Sequence, residues 1–518
     1  MQHVVEIEPD ADPKPADAST VLLDRSVTGA RWTLLLGALS LPLTYLTTVF
    51  LGRVGPDALG TYSLIVLFQM ACMTFLVPGS EQALVRYLPR LPVQEKGRLL
   101  ATYGKLPGLL LVSMLVLLLT YPKPVGVLLF GSETGPATRI LPFLVFLVPV
   151  VVIFKLLAAV LQSEMDIKGM AIATKITPFL IFVGALVLFV FRPAALSGSH
   201  LPIAILAFVV IANLPSVAVA AVRSYAVVRS WTARGGSLSP AGFWAFTLFA
   251  FTGSVIAFAF GNLDLVIVSN RLGVHDLGLY KAALVSAEFV RWIPMILLQT
   301  IFPFFCNLLP QGDDGQVKRA YLRLIRYTSV LVGGIGLALV CFSVPLLRLF
   351  GEEFSASRGS LVLLSGVFTL SAITTINGAL VVAAGRVGRA LFNGAIAVTL
   401  QVLLSLWLVP ELGALGAAVG KAAHLVCLLI LDSWLVYSIL RVFMPRRTLL
   451  LACANFGLML IAWRFVTESL WQTGALGALL LLLYAGAVWR LRLISREDIG
   501  FVLRGVLGRS ATTDGLPV

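Results

Sequence analysis

The chain has 518 residues, 58% hydrophobic and only 12% charged, with a mean hydropathy of +0.95 and a formal net charge of +14. A soluble globular chain is nearer a quarter charged, so the composition excludes a soluble enzyme or binding domain. The apolar runs are continuous rather than alternating, which excludes a transmembrane β-barrel, and the basic excess falls mostly in short joins, where it sets topology rather than binding nucleic acid.

In chain order, residues 1–25 are acidic and proline-containing, with no apolar stretch. They read as a disordered cytoplasmic tail, not a signal peptide. Apolar stretches long enough to cross a bilayer core follow at 31–51, 61–80, 100–121, 139–162, 170–191, 201–222, 242–269, 278–304, 327–347, 360–383, 390–409, 413–440, 448–466 and 470–489. The predicted fold is an all-α polytopic membrane protein of about 14 transmembrane helices. The join after span 2 carries Arg86, Arg90, Lys96 and Arg98; that after span 6 carries Arg223, Arg229 and Arg234; that after span 8 carries Lys318, Arg319, Arg323 and Arg326. The opposite joins are short, with lone cations such as Arg53, Arg192 and Arg271. Basic loops stay on the cytoplasmic side, so both termini are expected there.

The chain also repeats itself. Arg53-Val54-Gly55-Pro56-Asp57-Ala58-Leu59-Gly60-Thr61-Tyr62 aligns with Arg271-Leu272-Gly273-Val274-His275-Asp276-Leu277-Gly278-Leu279-Tyr280, 218 residues on. Leu129-Phe130-Gly131 aligns with Leu349-Phe350-Gly351, 220 residues on. An even number of spans per copy makes these parallel repeats, as in many transporters. The expected organisation is a tail (1–25), an N-lobe of spans 1–6 (26–222), a basic cytoplasmic linker (223–241), a C-lobe of spans 7–12 (242–441), two unrepeated spans 13–14 (442–490) and a cytoplasmic tail (491–518).

No join exceeds about 25 residues, and no phosphate-binding GxxxxGK[ST] loop, HExxH or GxSxG occurs. The five cysteines are scattered through apolar runs as small hydrophobes. The expectation is a non-enzyme: no catalytic residue, no metal site and no bound cofactor.

Ionisable side chains inside spans are costly and face a cavity or a partner. Span 8 holds Lys281, Glu288 and Arg291, and span 7 holds Asp264. Glu288 and Arg291, three apart, can pair, either as a structural pair or as a charged wall of a translocation cavity; Lys281 can snorkel to the headgroups. Glu81 lies near the inner end of span 2, Lys155 in span 4, and Lys421, His424 and Asp432 in span 12, where a structural role is the simpler reading. In the first copy the positions matching Asp264, Lys281, Glu288 and Arg291 are Leu46, Ser63, Met70 and Met73. Duplicated packing does not need that asymmetry; an amphiphilic substrate with a charged head does.

The run Leu51-Gly52-Arg53 through Gly60-Thr61-Tyr62, the preceding Gly29-Ala30-Arg31-Trp32, the segment from Asp264 to Tyr280, and Pro410-Glu411-Leu412-Gly413-Ala414-Leu415-Gly416 together resemble the polysaccharide flippases of the multidrug/oligosaccharidyl-lipid/polysaccharide exporter superfamily. The likeness covers residues 25–440. It implies two six-helix lobes working by alternating access on a glycan carried by polyprenyl diphosphate, in a bacterial inner membrane. By position, Arg31, Arg53, Lys281 and Arg291 are candidates to meet the diphosphate or glycan. Asp264, Glu288 and Glu81 are candidate counter-charges or coupling groups, with Na+ or H+ as the coupling cation. Expected partners are the lipid-linked oligosaccharide, membrane lipids, and a glycan polymerase or glycosyltransferases, with no nucleic acid. A peptidoglycan-precursor flippase, a cation-coupled multidrug exporter and a non-transporting scaffold for glycan-synthesis enzymes are the alternatives. A membrane glycosyltransferase is weaker, because the first outer join, Gly52 to Leu59, has Asp57 as its only acid.

Overall fold

A computed structural model describes residues 35–37, 39–130, 136–191, 200–231, 239–309, 314–465 and 469–493. Arg31, both tails and part of the basic linker lie outside these. The described residues are helical throughout, without strands. The helices are α1 (Leu35–Val54), α2 (Pro56–Phe75), α3 (Ser80–Tyr87), α4 (Val93–Thr120), α5 (Pro122–Phe130), α6 (Leu144–Ser163), α7 (Ile167–Phe191), α8 (Leu201–Val228), α9 (Phe243–Leu272), α10 (Val274–Leu308), α11 (Asp314–Cys341), α12 (Ser343–Arg348), α13 (Arg358–Phe368), α14 (Ser371–Ala383), α15 (Val387–Leu412), α16 (Ala414–Leu440), α17 (Arg446–Phe465) and α18 (Leu470–Arg490).

Twelve of the described helices are long and apolar enough to cross a membrane, or thirteen if a bent pair is one span. Each of the fourteen predicted stretches falls on a described helix or helix pair, the eighth on α10, of 35 residues. Large apolar side chains face outward on these helices, Trp471 at 90% exposure among them. In water such a surface would drive aggregation; against lipid it costs nothing. Several buried hydroxyls are satisfied within their own helix: Thr47 Oγ1 donates to the Leu43 carbonyl at 2.8 Å and Ser63 Oγ to Leu59 at 2.7 Å. The helices also run through Pro107, Pro149, Pro178 and Pro215, which hydrocarbon surroundings tolerate better than water does.

Three expectations change in detail. The joins after spans 1 and 7, read as loops, are single residues: Gly55 between α1 and α2, and Gly273 between α9 and α10. Both have positive φ, +154° and +97°, which a side chain rarely adopts, and Pro56 then opens α2 with its φ already helical. The expected straight span 360–383 is bent by 41° between 352–368 and 371–383. The ninth span breaks after Cys341, and α12 follows.

The duplication is visible in the backbone. Gly55 N–H donates to the Leu51 carbonyl and Leu59 N–H to Gly55; the matching bonds, Gly273 to Ser269 and Leu277 to Gly273, recur 218 residues on. A second pair of turns repeats at 220. Glu164, Met165 and Asp166 donate to the carbonyls of Val160, Gln162 and Leu161; Ala384, Gly385 and Arg386 donate to those of Leu380, Val382 and Val381. Met165 holds φ +60° where Gly385 holds +75°. Nothing in side-chain identity marks this second correspondence.

By internal packing the chain falls into two compact units. Of the described residues, one unit takes those within Met1–Thr47, Phe68–Pro122 and Arg139–Ser254; the other takes those within Thr48–Leu67, Lys123–Thr138 and Val255–Val518. Within the first, Leu161, Ala173 and Ala220 lock α6, α7 and α8. Within the second, one core joins Phe305, Tyr321, Ile376 and Val436 across α10, α11, α14 and α16. Another attaches α17 and α18 to α11 through Leu337, Met459 and Tyr484. The unrepeated helices bind the α11 backbone itself: Tyr484 Oη donates to the Val330 carbonyl at 2.7 Å and Asn455 Nδ2 to Gly333 at 3.3 Å. A Cβ at Gly333 would stand 2.5 Å from Tyr484 Oη, so the α11 surface must be bare there.

Candidate functional site

The second unit buries a charged cluster where α9, α10, α15 and α16 meet. Asp264, on α9, is 0% exposed. Its Oδ2 accepts from Tyr280 Oη of α10 at 2.7 Å and lies 3.0 Å from Lys421 Nζ of α16, a side chain 1% exposed. Lys421 also donates to the Gly261 carbonyl at 3.5 Å and sits 5.2 Å from the Phe260 ring centroid. His424, one turn on from Lys421, stacks on the same ring at 4.3 Å. The Arg291 guanidinium of α10 lies 5.1 Å from that ring and 5.3 Å from Phe368. Phe260 thus serves two cations, drawn by its ring quadrupole, and an imidazole stacked on it.

Small residues let these helices approach. A Cβ at Gly420 would collide with Ser405 Oγ, and one at Gly416 would come within 2.5 Å of the Leu408 carbonyl, so α15 and α16 touch backbone to backbone. Around the pair, the buried atoms Asp264 Oδ1, Gln401 Oε1, Ser405 Oγ and His424 Nδ1 have no hydrogen-bond partner among the described residues. An ion pair taken out of water with lone pairs unfilled is poorly compensated. Among the described residues no group of three or more His, Cys, Asp or Glu is placed to hold a metal.

Glu288 and Arg291, which spacing allows to pair, form no ion pair with each other: Arg291 turns to the two phenylalanine rings instead. Glu288 and Lys281 are half-buried on the same helix as Tyr280. Arg53 stands elsewhere. It is exposed, and its Nε and Nη2 donate to the carbonyls of Leu349 and Arg348 at 2.5 and 3.0 Å, at the C-terminal end of α12, where a helix favours a cation. Glu81, in the first unit, is ion-paired with Lys155. Nearby on that unit Lys96 meets Glu164 at 2.6 Å. Asp432 accepts from Asn393 at 2.9 Å, away from Lys421.

Lys421, Tyr280 and Phe260 are the members that sequence reasoning did not place here. Asp264 and Lys421 are 157 positions apart, and no periodicity links them. One clue was available: an acid deep in a span demands a cation, and Lys421 is a lysine in mid-span.

A family of proteins described as "Polysaccharide biosynthesis protein" matches residues 51–358 of this chain. No curated protein matches it in sequence. Among solved structures it is similar to the lipid II flippase MurJ in an inward closed conformation, with 12% identity, a TM-score of 0.66, and coverage of 88% of this chain and 98% of that one. It is also similar to an inward-facing multidrug resistance MATE family transporter of the MOP superfamily, with 14% identity, a TM-score of 0.61 and coverage of 77% and 95%. A mutant of the MATE transporter VcmN from Vibrio cholerae aligns at 15% identity with a TM-score of 0.56, over 82% and 97%. At such identities the likeness is one of fold, and it spans nearly the whole of each relative. The family match covers more than half of the 518 residues, and the chain belongs to this family of polysaccharide biosynthesis proteins.

Proposed function

We propose that the protein is a flippase. It carries a lipid-linked oligosaccharide, a glycan on polyprenyl diphosphate, from the cytoplasmic to the outer leaflet of a bacterial inner membrane by alternating access, in the making of cell-surface polysaccharide. Family membership and fold support the class. The observation that carries the finer reading is Arg291: a guanidinium deep in a span, held on two aromatic faces, with no carboxylate paired to it among the described residues. A guanidinium is the group best shaped for two phosphate oxygens at once. Lys281, on the same helix, is a second cation for the diphosphate or acidic sugars.

Asp264 and Lys421 are the proposed coupling pair, with Glu288 beside them. A cation, Na+ or H+, that neutralises Asp264 releases the Lys421 ammonium and so changes the charge the substrate meets. Both termini are proposed to lie in the cytoplasm, and glycan polymerase or glycosyltransferases to work alongside. The test is purified protein in vesicles with labelled polyprenyl-diphosphate oligosaccharide on one leaflet. Transfer to the other leaflet is expected; its absence under every Na+ and pH gradient would remove the proposal. The MATE likeness in fold favours one second reading, a cation-coupled drug exporter. A deletion strain that becomes drug-sensitive while its surface glycan stays normal would select it.

A further inference from the structure

We propose that the two repeated joins form a self-complementary clasp that holds one mouth of the transport path shut, at the membrane face opposite the basic joins. The proposal rests on the alternating-access reading above.

The clasp lies wholly within the second unit. A Cβ built at Gly60 would collide with the Val274 carbonyl, and one built at Gly278 would collide with the Pro56 carbonyl. Positions 60 and 278 are equivalents, 218 apart, and so are 56 and 274. Exchanging the copies therefore maps the contact onto itself, as in an isologous dimer interface. On its axis the equivalent residues Asp57 and His275 meet, Oδ1 to Nδ1, at 3.8 Å. An outer pair of contacts follows the same rule. From the first join, Gly52 packs on Phe350, at 2.9 Å from a built Cβ, and Arg53 grips the carbonyls of Arg348 and Leu349. From the second join, Asn270, the equivalent of Gly52, donates to the Val127 carbonyl at 2.9 Å. Each copy's join thus holds the other copy's corner.

The glycines separate a clasp from a mere turn. Gly55 and Gly273 have open space around them, and their positive φ alone accounts for them. Gly60 and Gly278 sit inside helices, where glycine is the least favourable residue after proline. Only the opposite carbonyl explains them. These four glycines are the same in both copies, while the neighbouring span positions differ, Met70 against Glu288. The contact is short and lies at helix ends, with Arg53 and Asp57 exposed. Close backbone packing of this kind needs no side chain to be ordered, so it can part and reform as a unit.

The test is thiol labelling in sealed membranes, read by mass spectrometry at a cysteine replacing Ser63, which is buried one turn below Gly60. Gly60→Ala, and separately Gly278→Ala, should each raise labelling by a membrane-impermeant maleimide about tenfold, because the closed state loses its contact. The two effects should match, since the contact is symmetric. Unchanged labelling in folded protein overturns the proposal. Should neither variant reach the membrane, Asp57→Cys with His275→Cys carries the test. Its disulfide-linked form should label at residue 63 about tenfold more slowly than its reduced form, and equal rates overturn the clasp. A protein that labels as expected but flips no lipid-linked oligosaccharide keeps the clasp and loses the flippase reading.

Discussion

The two copies of the repeat have diverged in a selective way. Where they meet at the joins, they kept the same glycines, the same backbone hydrogen bonds and reciprocal contacts. Behind the joins, the first copy has Leu46, Ser63, Met70 and Met73, and the second has Asp264, Lys281, Glu288 and Arg291. Tyr62 and Tyr280 show both tendencies in one residue. The ring is kept in each, but only Tyr280 has a buried acid, Asp264, to which it donates. The geometry is common to both copies, and the charge stands in one of them. The lesson is that a duplicated scaffold constrains its hinges more tightly than its walls, so charge can concentrate in one copy without disturbing how the copies fit.

Writing the first copy's residues into the second is the direct way to break that contrast. The largest effect is expected at Lys421. Lys421→Met strands Asp264 as a buried unpaired charge, a cost of about 3–5 kcal/mol, and folded protein should largely vanish from the membrane, as measured by size-exclusion chromatography in detergent. Adding Asp264→Leu, the residue of the first copy, should bring folded protein back while flipping stays low. Normal yield from the single variant would show that the pair is not closed in the resting protein. A smaller effect is expected at Arg291. Arg291→Met, again the first copy's residue, should leave yield intact and slow flipping about 10- to 100-fold, the worth of a hydrogen bond to a charged group. Equal flipping rates would return Arg291 to a packing role. The smallest concerns the 220-residue repeat: Met165→Gly, which copies Gly385, should raise thermal stability by about 1 kcal/mol or less, because a left-handed side-chain residue is strained. A lower melting temperature would mean that Met165 contributes packing worth more than its strain.

Much of the fold was legible because its cause is local. A stretch of some twenty apolar residues has to be a helix in lipid, and every such stretch falls on one. The joins were legible as a motif but not as single-residue pivots, since a run of Gly, Pro and Asp reads equally well as a loop. The bend between Phe368 and Ser371 carries neither proline nor glycine at the break and left no mark in composition. The turn at Met165 was hidden for the opposite reason: its repeat is conformational, and methionine there conceals a position suited to glycine. In the site, Asp264, Glu288 and Arg291 were legible as charges where charge is expensive. Their partners were not, because the ammonium that answers Asp264 comes from another helix and the groups that hold Arg291 are phenylalanines, which a search for charge passes over.

The Phe260 ring has one further consequence. Lys421 and Arg291 both sit on the same ring, at 5.2 and 5.1 Å from its centroid, so each feels the other's charge. An anion that neutralises the guanidinium relieves its repulsion of the ammonium, and an ammonium set free from Asp264 adds to the positive field that draws an anion to Arg291. Linkage makes the two influences equal in free energy. On the proposed flippase reading, an anion bound at Arg291 therefore tilts the Asp264–Lys421 balance by the same amount as that balance tilts anion binding, and the two sites meet at one uncharged side chain.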